Sequence, residues 1–165
     1  MNLQSACNQK SSTCLSIHFS LADLTKTGTG LANSVSDPKI INNLKRIAEH
    51  ILEPVQQHFK KRLIILSGYR SPAVSKAVNG SDRSQHSHGE AVDFTVPGHT
   101  VVEVANWIES NLVFDQLILE HFLPNSPNSG WVYCSYSQAN RRNVLTKFKG
   151  SKIYHPGLLI NPPQK

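Results

Sequence analysis

The chain has no run of about 18 consecutive apolar residues, which excludes a helical membrane span. Its first twenty residues are rich in Ser, Asn, Gln and Lys and hold no apolar core of a secretory signal. Synthesis in the cytoplasm without a signal peptide is therefore expected, and a lysis system or a virion could still carry the product outside. Cysteine is scarce. Three residues, Cys7, Cys14 and Cys134, without paired C-x-x-C spacing exclude both a disulfide framework and a cysteine zinc cluster. Free thiols are the expectation, with a Cys7–Cys14 pair as the alternative. Aromatic residues make up only 7% and no dense basic block is interleaved with them, so a stacking platform for single-stranded nucleic acid is not supported. Internal repeats and low-complexity segments are missing too.

What is present describes one globular domain. The 165 residues can bury a core, and 39% hydrophobic against 17% charged residues excludes a disordered chain. Lys and Arg exceed Asp and Glu by 17 to 11, a formal charge of +6 that favours anionic partners such as cell wall, membrane surface or nucleic acid. Residues 1–15 read as a polar arm, 16–155 as the domain and 156–165 as an irregular tail. In Ser16–Leu24 a short extended piece turns into one helical turn, pinned by Phe19, Leu21 and Leu24. Asp37 and Pro38 supply an N-cap and a first helical residue, and Ile40, Ile41, Leu44, Ile47, Ala48, Ile51, Leu52, Val55 and Phe59 form one apolar stripe. Pro54 inside that stripe predicts a kink near His50–Glu53. His50 and His58 fall off or at the edge of the stripe and read as solvated. A strand is predicted at Leu63–Leu66, then a short helix from Ser71-Pro72 to Val78 with Ala73, Val74 and Ala77 inward. A strand at Ala91–Val96, a helix at Thr100–Leu112 and strands at Phe114–Phe122, Trp131–Tyr136 and Asn143–Phe148 follow. This order implies an α+β fold, a small antiparallel sheet with helices packed on it.

The chemistry is expected in Ser67–Asp93. There Ser84, His86, Gly89, Ala91 and Asp93 fall in the order S-x-H-x-x-G-x-A-x-D, which sets an imidazole and a carboxylate seven residues apart across a glycine turn. One nitrogen and one oxygen ligand of this kind suit zinc, but a catalytic zinc needs a third protein ligand and an open position for water.

SGYRSPAVSKAVNGSDRSQHSHGEAVDF resembles the zinc-ligand segment of the D-alanyl-D-alanine carboxypeptidase metallopeptidases, the group with VanX-type dipeptidases, phage L-alanyl-D-glutamate endolysins and the Hedgehog fold. HFSLADLTKT, NLKRIAEHILEPV, FDQLILE, WVYCSY and NRR extend the likeness over roughly residues 16–148. The resemblance implies a Hedgehog-like fold and one zinc ion whose bound water attacks a peptidoglycan peptide, as a carboxypeptidase or endopeptidase. His86 and Asp93 match the first two zinc ligands. Arg70 matches the arginine that holds substrate or the oxyanion, a role suited to a planar, permanently charged donor. Ser84 matches a serine close to the substrate, with a turn-forming role as its alternative. Gly89 and Ala91 match backbone and packing requirements, and His88 is extra to the motif.

The departure is at the third ligand. The family pattern is W-x-H, and this chain reads Trp131-Val132-Tyr133. A phenol with an ordinary pKa of about 10 is a poor zinc ligand. The site therefore recruits another group, is weakened, or is lost. His121 and His155 are the candidate substitutes. Some family members place the carboxylate base three residues before the third ligand, which is Gly130 here, so Glu120 is the expected base. Two functions follow. One is a zinc-dependent peptidoglycan peptidase of the phage or bacterial branch. The other is a catalytically impaired fold kept as a binding or structural module, such as a virion component, since fold does not guarantee function. Expected partners are a peptidoglycan peptide or other anionic wall material, with protein assembly partners open.

Overall fold

A computed structural model describes residues 6–7 and 13–164. Most of the polar arm expected over residues 1–15 lies outside the described residues. Within the described part, Cys7 and Cys14 form a disulfide, against the expectation of free thiols. The chain doubles back there, with Cys14 bridged to Ser20 and the Cys7 N–H donating to the Ile17 carbonyl at 2.7 Å, which brings the two sulfurs together. Cys134 stays free and buried.

Ser20 caps the single turn α1 (Leu21–Leu24): its hydroxyl accepts from the Asp23 N–H, and the Asp23 carboxylate accepts in return from the Ser20 N–H. Phe19 and Leu24 are buried below it. Asp37 caps α2 (Pro38–Ile47). The expected break takes the form of a π turn, Ala48–Leu52, before α3 (Glu53–Phe59). Pro54 has no N–H to give and its ring crowds the carbonyl of His50, so the helix widens by one residue and Glu53 bonds to the Ala48 carbonyl. Leu44, Ile47, Ala48, Ile51, Leu52 and Val55 are fully buried along the stripe.

Among the described residues six strands form one sheet in the order β1 (Ile64–Ser67), β2 (Ala91–Thr95), β4 (Trp131–Ser135), β3 (Gln116–Phe122), β5 (Asn143–Phe148) and β6 (Tyr154–Pro156). The architecture is α+β as expected, but the sheet is mixed, because β5 runs parallel to β3. Asp115 dictates this: its carboxylate and carbonyl hold the backbone N–H groups of Arg141 and Asn143, so β5 starts beside the start of β3. The strand β6 was not expected. Helix α4 (Pro72–Ala77) buries Val74 and Ser75 and leaves Ala73 and Ala77 exposed, contrary to the predicted inward trio, since only one side of so short a helix meets the domain. Helix α5 (Val101–Asn111), capped by Thr100, packs on β3 and β4, and α2 packs on β2.

Strand alternation then sorts the side chains. Val92, Phe94, Leu117, Leu119, Val132 and Cys134 join the helices in the main core. On the other face Asp93, Tyr133, Ile118 and Leu145 lie in one row across four neighbouring strands. That face carries the site. Among the described residues no helix is long and apolar enough to cross a membrane.

Candidate active site

The first wall of the site is the segment from β1 to β2. Gly68 presses against the Leu24 carbonyl where any side chain would collide, and its own carbonyl takes the His86 Nδ1 at 2.7 Å. Nδ1 is thereby the protonated nitrogen, and Nε2 is directed at the Asp93 Oδ2, 3.3 Å away. His86 sits in a 3-10 turn (Gln85–His88) that Ser84 caps, its hydroxyl accepting from the His86 N–H at 3.3 Å. Gly89 ends that turn at φ 71°, and a Cβ there would lie 2.8 Å from the Ile40 carbonyl oxygen, so glycine is required. Arg70 donates from Nε to Ser67 and from its terminal nitrogen to Asp93 Oδ2, both at 2.9 Å. His86 and Asp93 are each 3% exposed. The Asp93 Oδ1 is buried with no partner.

The opposite wall is different. Tyr133 faces the His86 ring edge-on at 5.4 Å between centroids, but its hydroxyl donates to Gln85 Oε1 at 3.0 Å. Gln85 Nε2 in turn donates to Asp115 Oδ2 at 2.8 Å. Arg141 closes on that carboxylate with two guanidinium nitrogens at 2.9 and 2.7 Å. Those Arg141 hydrogen bonds hold the Asp115 carboxyl far below the usual range against the opposing effect of burial, and Gln85 adds to them. Burial pushes the Tyr133 phenol well above its ordinary value, and the negative charges of Asp93 and Asp115 push the same way. Tyr133 is a neutral hydrogen-bond donor here.

Position 130, where some family members carry the base, has no room for a side chain. Gly130 has φ 68°, and a Cβ on it would run into the Glu120 carbonyl oxygen and the His121 backbone. Glu120 does line the same cleft. Burial raises its pKa and Asp93 adds to the effect, while Lys147 and the Tyr154 hydroxyl, which donates to Oε1 at 3.3 Å, oppose it. His121 stacks on Trp131 at 4.8 Å, and His155 lies against Phe148 at 5.7 Å. Neither joins a metal-ligating set, because among the described residues no three His, Cys, Asp or Glu side chains group as a metal site. The cleft over the sheet has a volume of about 880 Å³ and takes in Arg70, Ser84, His86, Asp93, Glu120 and Tyr133. These six residues and His121 line one cavity, and His155 does not reach it. The sequence does not single out Gln85, Asp115 or Arg141, although Gln85 adjoins His86 in the motif, Asp115 falls in FDQLILE and Arg141 in NRR.

The family model of peptidase M15 matches residues 17–123. The chain belongs to the peptidase M15 family. No curated protein matches it. The M15 match takes in Arg70, Ser84, His86, Asp93 and Glu120 and ends before Gly130 and Tyr133. A zinc ion of the M15 kind finds two donors suited to it: an imidazole with its outer nitrogen correctly held, and a carboxylate with an unpaired buried oxygen. It finds no third. The donor set present does not fit a catalytic zinc with three protein ligands.

Proposed function

We propose that this M15 chain binds short peptidoglycan-type peptides in the cleft without hydrolysing them, a non-catalytic module on a peptidase fold. One observation carries the reading: at the position of the third ligand, the Tyr133 hydroxyl is turned onto Gln85, which Asp115 and Arg141 hold in place. The position where some family members carry a carboxylate base is closed as well, since Gly130 has no room for a side chain. The cleft keeps what peptide recognition needs. Arg70, Arg83, Arg141 and Lys147 line it against two carboxylates, Asp93 and Glu120, which favours an anionic ligand. The setting of this reading is the bacterial wall, reached through phage lysis or as part of a virion, with protein assembly partners in the second case.

Calorimetric titration with L-alanyl-D-glutamate in the presence of zinc, with mass spectrometry of the peptide afterwards, tests this. Binding with the peptide intact is expected. Cleavage that disappears in His86→Ala would overturn it. The second reading, a zinc-dependent peptidoglycan hydrolase, is favoured by Glu120, a carboxyl of raised proton affinity in the same cleft as His86 and Asp93. It predicts that the cleavage also disappears in Glu120→Gln.

A further inference from the structure

Beside the main cleft lies a second one of about 350 Å³, and Arg70, Val78, Asp93 and Trp131 line both. Leu66 and Val74 give the second cleft an apolar wall, and Thr27 and Thr29 form its rim. Leu66 and Val78, 48% and 45% exposed, are large apolar side chains facing water there. The shared wall also carries two orphaned polar atoms: the Asp93 Oδ1 acceptor and the Trp131 Nε1 donor are both buried without a partner. Buried groups of this kind are normally satisfied, and each unsatisfied one in a native fold requires an account. Both atoms are closed to solvent as they stand, and a small turn of either side chain toward the cleft would present an acceptor and a donor, the pair that one N–H and one carbonyl of a peptide backbone satisfies.

We infer that the two clefts form one continuous peptide groove, in which the chain of an extended peptide passes Asp93 and Trp131 and sets an apolar side chain against Leu66, Val74 and Val78. This rests on the peptide-binding reading above and adds to it a specificity pocket: the ligand is a peptide with an apolar residue next to its anionic part. Neither the main cleft nor the metal ligands account for Leu66, which lines only the second cavity.

The test uses the full chain with Trp107→Phe, so that Trp131 is the remaining tryptophan and its fluorescence reports occupancy. Three probes are titrated: L-alanyl-D-glutamate, and the same dipeptide extended by leucine at its N-terminus or at its C-terminus. One of the leucine extensions is expected to bind about tenfold more tightly than the dipeptide, the gain that burying most of a leucine side chain supplies. Leu66→Gln, a change at a half-exposed edge position, should remove that gain and leave dipeptide affinity unchanged. If the dipeptide binds and neither extension improves on it, or if Leu66→Gln leaves the gain in place, the groove is wrong while the peptide-binding reading stands. If only a leucine-extended probe binds, in a Leu66-dependent way, the second cleft is supported and the main-cleft assignment fails. If no probe binds, both fall.

Discussion

On the wall made by residues 67–93, Gly68 fixes the His86 ring, Ser84 and Gly89 shape its turn, and Asp93 keeps one oxygen unpaired. Around Tyr133 on β4, by contrast, the polar groups are satisfied in a network that reaches across the cleft, Tyr133 by Gln85 of the first wall, Gln85 by Asp115 just before β3 and Asp115 by Arg141. The first wall falls inside the M15 match and Tyr133 does not. The contrast teaches that an imidazole and a carboxylate can face each other with their supporting hydrogen bonds in place while the rest of the same cleft is tied into a closed network. A polar network whose members are all paired gives a metal ion nothing to take.

The sharpest way to break the comparison is to put a carboxylate at position 130. Gly130→Asp adds a side chain at positive φ against the backbone of Glu120, so we expect a loss of about 3 kcal/mol or more in urea unfolding, and no gain of activity. A stable Gly130→Asp protein would show that this position is not closed. Next in size, Asp115→Ala removes a carboxylate only 1% exposed together with the anchor of the β4–β5 crossover, and should cost about 3 kcal/mol. The pH dependence has a definite sign. The folded pKa of Asp115 is depressed, so its stabilisation is present above the unfolded value of about 3.9 and is lost as pH falls below it. The unfolding free energy of Asp115→Ala should therefore decline less on acidification than that of the native chain.

Smaller effects sharpen the picture. Tyr133→Phe deletes the donor to Gln85 and should cost about 1 kcal/mol, with no change in bound metal. A fall in metal content in this variant would mean that the phenol is a ligand after all. The smallest effect is Glu120→Gln. A carboxyl whose pKa is raised in the folded state contributes stability at acid pH and loses it as pH rises through the folded value. The variant should therefore melt slightly higher than the native chain near neutral pH, and the difference should vanish at about pH 4.

How much of this was legible follows from the range of the interactions. The helix from Pro38 to Phe59 and its break at Pro54 are local, set by a cap, a periodic stripe and one missing N–H. The turn holding His86 is local too, and Gly89 marked it. The parallel pairing of β3 with β5 was hidden, because it depends on Asp115 holding the Arg141 backbone 26 residues away. The fate of Tyr133 was hidden for the same reason: the family resemblance implies a histidine at that position, but the partner of Tyr133, Gln85, lies 48 residues earlier. The Cys7–Cys14 pair needed the reversal at Cys14 and Ser20, which no composition rule contains.

Zinc content of the native chain and of Tyr133→His, each purified without chelator, dialysed against zinc and measured by plasma mass spectrometry, tests the central claim most directly. Far less than one zinc per native chain, rising to near one in Tyr133→His, is the predicted result, since the two ligands on the first wall then gain the third they lack. Stoichiometric zinc in the native chain that His86→Ala abolishes would contradict it.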